Sequence, residues 1–274
     1  MKKPKYNSST TLFRPLNFIQ IFCWKEGIAM PEYRLKINTK TAICPASGET
    51  WGGVIDNDVV YDEVGLPIIP AKRIRGILLE SAIDVAQALS TVKPEYWSPE
   101  KIGGLFGERG QVSSSPLIID DAKLENYDEK KSWLKWAQHQ VLDIASRMQV
   151  LSLFTSVRAQ TAIAPSLAED NNESSSTGKN NKDKKFLSAG VAMPHSLRMQ
   201  RVLKRGLVFV CPVIVIDHEQ SDFFESLLAL SASVSRRTGL NRNRGLGEIA
   251  MTLYDNFGNE INVSDIVDKE VPRD

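Results

Sequence analysis

Arginine and glycine are concentrated in one short stretch, Arg236-Arg237-Thr238-Gly239-Leu240-Asn241-Arg242-Asn243-Arg244-Gly245-Leu246-Gly247. Glycines leave backbone N–H groups open to form an anion nest, and guanidinium forks match phosphate oxygens in two-point contact. Arg236, Arg237, Arg242, Arg244, Gly245 and Gly247 are therefore candidate ligands for a phosphate backbone. The spacing is neither GxxxxGK[ST] nor GxGxxG, so no nucleotide cofactor is implied. A solvent-exposed turn is the plain alternative, but four arginines converging without an anion would repel one another.

A second basic group is Pro70-Ala71-Lys72-Arg73-Ile74-Arg75-Gly76. Lys72, Arg73 and Arg75 fall in the first turns of a helix opened by Pro70. There, each cation opposes the helix macrodipole by roughly a few tenths of a kcal/mol. A bound polyanion would relieve that conflict, and Gly76 would let a backbone approach at a cost of about 1 kcal/mol in helix propensity. The competing reading is a charged solvent face with a packing glycine. A third basic rim, Arg198, Arg201, Lys204 and Arg205, precedes Gly206. His195 before it has no identifiable partner and reads as structural rather than as an acid–base group.

Carboxylates at Asp56, Asp58, Asp62 and Glu63 could gather a divalent cation, since hard cations take several carboxylate oxygens. The calcium-loop template fails, with Val60 and Tyr61 at its third acidic and glycine positions. The alternative is a solvated loop whose carboxylates accept from nearby backbone N–H groups.

The rest of the composition narrows the possibilities. With 42% hydrophobic and 24% charged residues over 274 positions, the chain has the make-up of an ordinary globular protein. No apolar run reaches the roughly 18 residues of a membrane span. Lys and Arg total 34 against 33 Asp and Glu, so net charge points to no partner class. Cys23, Cys44 and Cys211 lie far apart, as do His139, His195 and His218. A disulfide framework and a histidine or cysteine metal cage are thereby disfavoured, and a cytoplasmic location is expected.

Clean alternation starts after Met30, where Tyr33, Leu35 and Ile37 alternate with Arg34, Lys36 and Asn38 as in a half-buried strand. Lys25-Glu26-Gly27 can be encoded by a purine-rich ribosome-binding sequence. The expectation is translation from Met30 rather than Met1, with 1–29 a non-native or disordered extension; a short partner-binding arm is the alternative. Helical spacing of Ile74, Ile77, Leu78, Ala82, Val85 and Leu89 predicts a helix from Pro70. Residues 93–104, with Pro and Gly punctuation, read as a loop. Leu117-Ile118-Ile119 reads as a strand ended by Asp120-Asp121, and 128–146 as a helix with Trp133, Trp136 and Val141 inward. Residues 169–185 lack apolar side chains and read as a mobile insertion. A strand over 207–216 should be bulged at Pro212 or lie near an edge. A helix over 222–237 and a strand over 249–254 follow. Strand–helix–strand thus occurs twice, which suits an α+β, ferredoxin-like (RRM-like) split βαβ core with long loop insertions over 30–256, and a tail over 257–274.

Taken together, these stretches resemble the RAMP superfamily of CRISPR-associated proteins, in particular RNA-binding subunits of type III effector complexes. The resemblance is carried by Gly53-Val54-Ile55-Asp56-Asn57-Asp58, by Gly65-Leu66-Pro67-Ile68-Ile69-Pro70-Ala71-Lys72-Arg73-Ile74-Arg75-Gly76, and by Arg244-Gly245-Leu246-Gly247. Leu105-Phe106-Gly107, Asp120-Asp121-Ala122 and Leu197-Arg198 ahead of Gly206–Phe209 are also similar. It spans nearly all of 30–254. The resemblance implies a structural subunit in antiviral defence that holds a CRISPR guide RNA by its backbone, with target RNA and other effector subunits as partners and no membrane. Residues 155–195 would project as a thumb between guide and target. In backbone subunits of that family an aspartate matching Asp56 supports metal-dependent cleavage of target RNA. The alternative function is therefore a Mg2+-dependent endoribonuclease with Asp56 as metal ligand and catalytic residue. Asp58 and Tyr61-Asp62-Glu63 depart from that pattern and look more like the type III-D relative. An architectural acidic loop is favoured on that ground. A guide-processing nuclease is the third and weakest reading, because no histidine-centred acid–base pair is visible.

Overall fold

A computed structural model describes residues 32–45, 54–107, 115–140, 145–163, 190–193, 195–216, 220–242 and 244–271. The proposed 1–29 extension, Gly53, the 169–185 insertion, Val141, Asn243 and His218 lie outside the described residues. In chain order the elements are β1 (Glu32–Thr39), β2 (Val60–Tyr61), β3 (Pro67–Ile69), α1 (Ala71–Leu89), α2 (Pro99–Phe106), β4 (Leu117–Ile119) and β5 (Ala122–Leu124). There follow α3 (Tyr127–Gln140), α4 (Arg147–Phe154), β6 (Thr155–Gln160), β7 (Arg198–Leu203), β8 (Val208–Val215), α5 (Ser221–Val234), β9 (Ile249–Tyr254) and α6 (Val263–Glu270).

β1 pairs antiparallel with β9 on one side and β8 on the other, and the far edge of β8 carries β4 and β5. The core order β9-β1-β8-(β4/β5) is two split β-α-β units, β1-α1-(β4/β5) and β8-α5-β9, each with a strand of the other between its own. This is the α+β, ferredoxin-like arrangement. β3 and β2 extend the β5 edge as a short hairpin. The inward residues of β1, Tyr33, Leu35 and Ile37, join Phe209, Cys211, Val213, Ile249, Met251 and Leu253 in the core. Ile74, Leu78, Ala82 and Val85 of α1 and Phe223, Phe224, Leu227 and Leu228 of α5 complete it. The two helices pack on each other, with Ser81 Oγ and Ser235 Oγ 2.8 Å apart.

Pro212 proves to lie in a central strand, and the sheet bulges opposite it. Ile119 faces Val213 whereas Lys123 faces Val210, so Asp120-Asp121 adds one residue against β8. Asp120 N donates to Pro212 O at 3.1 Å. The bulge turns Asp121 toward α1, and its Oδ1 accepts from Ala71 N at 2.8 Å. Pro70 brings no side-chain oxygen to that helix start, so a carboxylate from the neighbouring strand caps it.

Several sequence expectations are corrected. Residues 99–106 are helical because Pro99 stands at the first helical position, where its missing N–H costs nothing, and Ile102, Leu105 and Phe106 are buried at helical spacing. Of the expected helix over 128–146, Tyr127–Gln140 is helical, residues 141–144 lie outside the described residues, and Ser146 starts a separate helix through a capping box with Gln149. Trp133 and Trp136 point outward, 62% and 60% exposed, while Leu134 and Ala137 are the buried residues of α3. Within the 257–274 tail, α6 docks, with Ile261, Val263 and Ile266 on the core and buried Glu270 accepting from Trp97 Nε1 and Lys93 Nζ, each at 3.2 Å.

Candidate nucleic-acid interface

The separately encoded stretches meet at β7. Its partner β6 pairs along one edge, from Thr155↔Leu203 to Gln160↔Arg198. The acidic loop runs along the other edge. Asp56 N donates to Met199 O at 2.8 Å, Met199 N donates to Asp56 Oδ2 at 2.7 Å, and Arg201 N donates to Asn57 O at 2.9 Å. Asp56 thus uses its backbone and one carboxylate oxygen as a clamp on the strand, and its Oδ1 lies 3.9 Å from Arg198 Nη1.

The glycine-rich loop seats on the segment after β1. Leu240 N donates to Cys44 O and Gly247 N to Ala42 O, both at 2.9 Å. Gly239 has φ +82°, and a Cβ there would stand 2.3 Å from Cys44 O, so only glycine fits this approach. Asn241, left-handed at φ 59°, donates through Nδ2 to Gln200 Oε1 at 2.9 Å and Gln160 Oε1 at 3.2 Å. Arg242 forks onto Glu80 of α1 at 3.0 and 3.2 Å, and Arg237 Nη1 donates to Arg242 O at 3.0 Å. Lys72 and Gly76 are exposed on α1 two turns and one turn before Glu80. The loop and the exposed stripe of α1 therefore share one side of the molecule. Arg236 and Arg244 are exposed in the same loop, and Gly245 has open space around it.

Other candidates stand behind this surface. Arg201, with its side chain 9% exposed, faces the 4% exposed side chain of Asp58 at 3.4 Å, so its charge is spent on a buried pair within the chain. Arg75 donates to the carbonyls of Leu117 (3.3 Å) and Phe106, tying α1 to β4 and α2. Arg73 is half-buried and engaged within the chain. Asp121 already supplies a carboxylate at the α1 N-terminus, so the cations there need no external anion to offset the helix dipole.

The acidic residues disperse rather than converge. Asp62 is buried and accepts from Leu66 N (2.8 Å), Val64 N (3.0 Å) and Tyr127 Oη (2.8 Å), tightening the β2–β3 turn. Burial, with the bond to Asp62, pushes the Tyr127 hydroxyl up to about 12. Glu63 pairs with Lys131 at 2.9 Å and Lys135 at 3.1 Å, and the Lys131 hydrogen bond leads in holding its carboxyl down at about 2. Among the described residues no three metal-ligating side chains gather, and the ionic neighbour of Asp56 is a cation. The described residues do not fit a Mg2+ site at Asp56. His195 is exposed at φ 56°.

One basic residue of the surface escapes the sequence reading. Arg158 is exposed on β6, two residues before Gln160 and directly opposite Gln200. The alternation of Arg158 with Gln160 on a strand was the signal available for it.

No protein-family model matches this sequence, and no curated protein matches it. Among solved structures the chain is similar to one in a cryo-EM structure of the type III-B Cmr-beta complex bound to cognate target RNA, with a TM-score of 0.47 and 11% identity. The match covers 85% of this chain and 63% of the other, so the chain spans less than two thirds of that neighbour's length. No helix among the described residues is long and apolar enough to cross a membrane.

Proposed function

We propose that this protein is an RNA-binding structural subunit of a type III CRISPR ribonucleoprotein, holding guide RNA by its sugar–phosphate backbone and leaving sequence recognition to guide–target pairing. The observation that carries this reading is the shared surface of α1, the glycine-rich loop and the β6–β7 hairpin, joined by Arg242–Glu80 and Asn241–Gln200. Lys72, Arg158, Arg198, Arg236, Arg237, Arg242 and Arg244 are among its exposed cations. The acidic loop serves to brace β7. Other effector subunits and target RNA are the further partners of the reading.

The test is salt-dependent binding of single-stranded RNA by the Lys72→Ala, Arg198→Ala, Arg242→Ala, Arg244→Ala quadruple variant. Each lost phosphate contact removes about 0.7 from the slope of log K against log salt. Four contacts then make binding about 50-fold less sensitive between about 50 and 200 mM salt. Unchanged affinity and slope would remove this surface from RNA binding. In the assembled complex with Mg2+, Asp56→Asn is expected to keep both guide binding and any target cleavage. Selective loss of cleavage would instead favour the endoribonuclease reading.

A further inference from the structure

On one face of the β6–β7 hairpin, arginine and glutamine form a two-by-two block. Arg158 stands opposite Gln200, and Gln160 opposite Arg198. Alternation along each strand puts all four on the same face, with direct partners about 5 Å apart at Cβ and the two arginines on a diagonal of about 7–8 Å. Both arginines are exposed. Asn241 closes the block from the glycine-rich loop, its Nδ2 shared between Gln160 Oε1 and Gln200 Oε1. That arrangement engages the Asn241 amide nitrogen and leaves the Gln160 NH2 and the Asn241 carbonyl oxygen without a hydrogen bond among the described residues. Gln200 Nε2 is buried and likewise has no partner among them. Unlike Gln200 Nε2, the Gln160 NH2 and the Asn241 carbonyl are not sealed in the fold, so both stand open to solvent and to a ligand.

We infer that this block is a sugar-step reader: Arg158 and Arg198 take neighbouring phosphates, while Gln160 and Asn241 bond the ribose 2′-hydroxyl between them. The inference rests on the RNA-binding reading and adds to it the residues that tell ribose from deoxyribose. A 2′-hydroxyl both donates and accepts, and a carbonyl beside an amide NH2 answers both roles. An arginine alone grips either sugar type through phosphate, so discrimination falls to the amides. Asp56, 3.9 Å from Arg198, is a partly exposed neighbour, and the Arg198 side chain stays 66% open to solvent.

Fluorescence anisotropy on the full chain, with a single-stranded RNA and the 2′-deoxy oligomer of the same sequence, tests this. The wild type is expected to favour RNA about tenfold. Gln160→Met and, independently, Gln160→Leu should bring RNA affinity down to the DNA level and leave DNA affinity unchanged. Arg158→Ala should weaken both oligomers alike and lower the salt slope by about 0.7. Unfolding at the wild-type temperature certifies each variant. Equal wild-type binding of the two oligomers, or equal loss of both in the Gln160 variants, overturns the inference while the RNA-binding reading stands. Binding of neither oligomer overturns both.

Discussion

The Asp58–Arg201 pair separates support from contact, because both roles are plausible for an arginine on β7 but have opposite consequences. At 3.4 Å and an effective dielectric of about 20, opposite unit charges attract by about 5 kcal/mol, much of it offset by desolvation. Removing one partner alone leaves the other buried charge uncompensated. Asp58→Leu or Arg201→Met should therefore cost about 3–5 kcal/mol each. For a domain of this size that lowers Tm by roughly 6–20 °C. Asp58 Oδ2 and Arg201 Nη1 lack hydrogen-bond partners among the described residues, so the pair is poorly satisfied. The double variant Asp58→Leu, Arg201→Met should consequently recover most of the loss, and in the recovered protein RNA affinity should return as well. Urea and thermal unfolding followed by circular dichroism, with binding measured on the folded fraction, complete the cycle. A fully stable Arg201→Met protein that no longer binds RNA would refute the reasoning, since it would make Arg201 a contact residue.

Three further outcomes are expected. Gly239→Ala combines about 1–2 kcal/mol of left-handed backbone cost with a collision on Cys44 O, whereas Gly245→Ala, at φ +76° in open space, carries the backbone cost alone. Equal loss of stability and RNA affinity in the two would deny that the loop is seated on Cys44. Because the folded carboxyl of Glu63 is depressed from 4.5 to about 2, its contribution is present above about pH 4.5 and disappears as pH falls toward 2. Its side chain is 56% exposed, so Glu63→Gln should be destabilised by less than about 1 kcal/mol at pH 7 and match the wild type near pH 2; a gap that widens on acidification contradicts the pairing. Trp97→Ala should cost about 3–5 kcal/mol, while Trp133→Ala and Trp136→Ala should each cost about 0.5 kcal/mol or less and remove acrylamide-quenchable fluorescence. Comparable losses at all three positions would put the α3 tryptophans in the core.

Local periodicity and end chemistry made much of the architecture legible. Alternation at Tyr33, Leu35 and Ile37, the stripe from Ile74 to Leu89 and the terminal strand all reflect a one-sided core, which imprints its period on each element. The helices over 99–106 and 147–154 were missed because each depends on one residue at its start, Pro99 or Ser146, which composition alone assigns to a loop. Trp133 and Trp136 misled for a related reason: hydrophobicity says what a side chain gains by burial, not whether its helix has a neighbour on that side.

The residue types of the candidate interface were readable one stretch at a time. Arginine and glycine announce an affinity for phosphate wherever they occur, because charge and backbone freedom belong to the residue itself. Which of them face solvent was decided by the tertiary structure alone. Arg198 and Arg201 are three positions apart on one strand, yet one is open to water and the other meets a buried aspartate. Asp56, Asp58, Asp62 and Glu63 form a cluster in the chain, but in the fold Asp56 and Asp58 turn to arginines of β7 while Asp62 and Glu63 turn to Lys131 of α3. Proximity along a backbone sets local chemistry, but convergence of side chains depends on the direction each takes once strands pair and helices pack, and contacts such as Asn241–Gln200 join residues 41 positions apart.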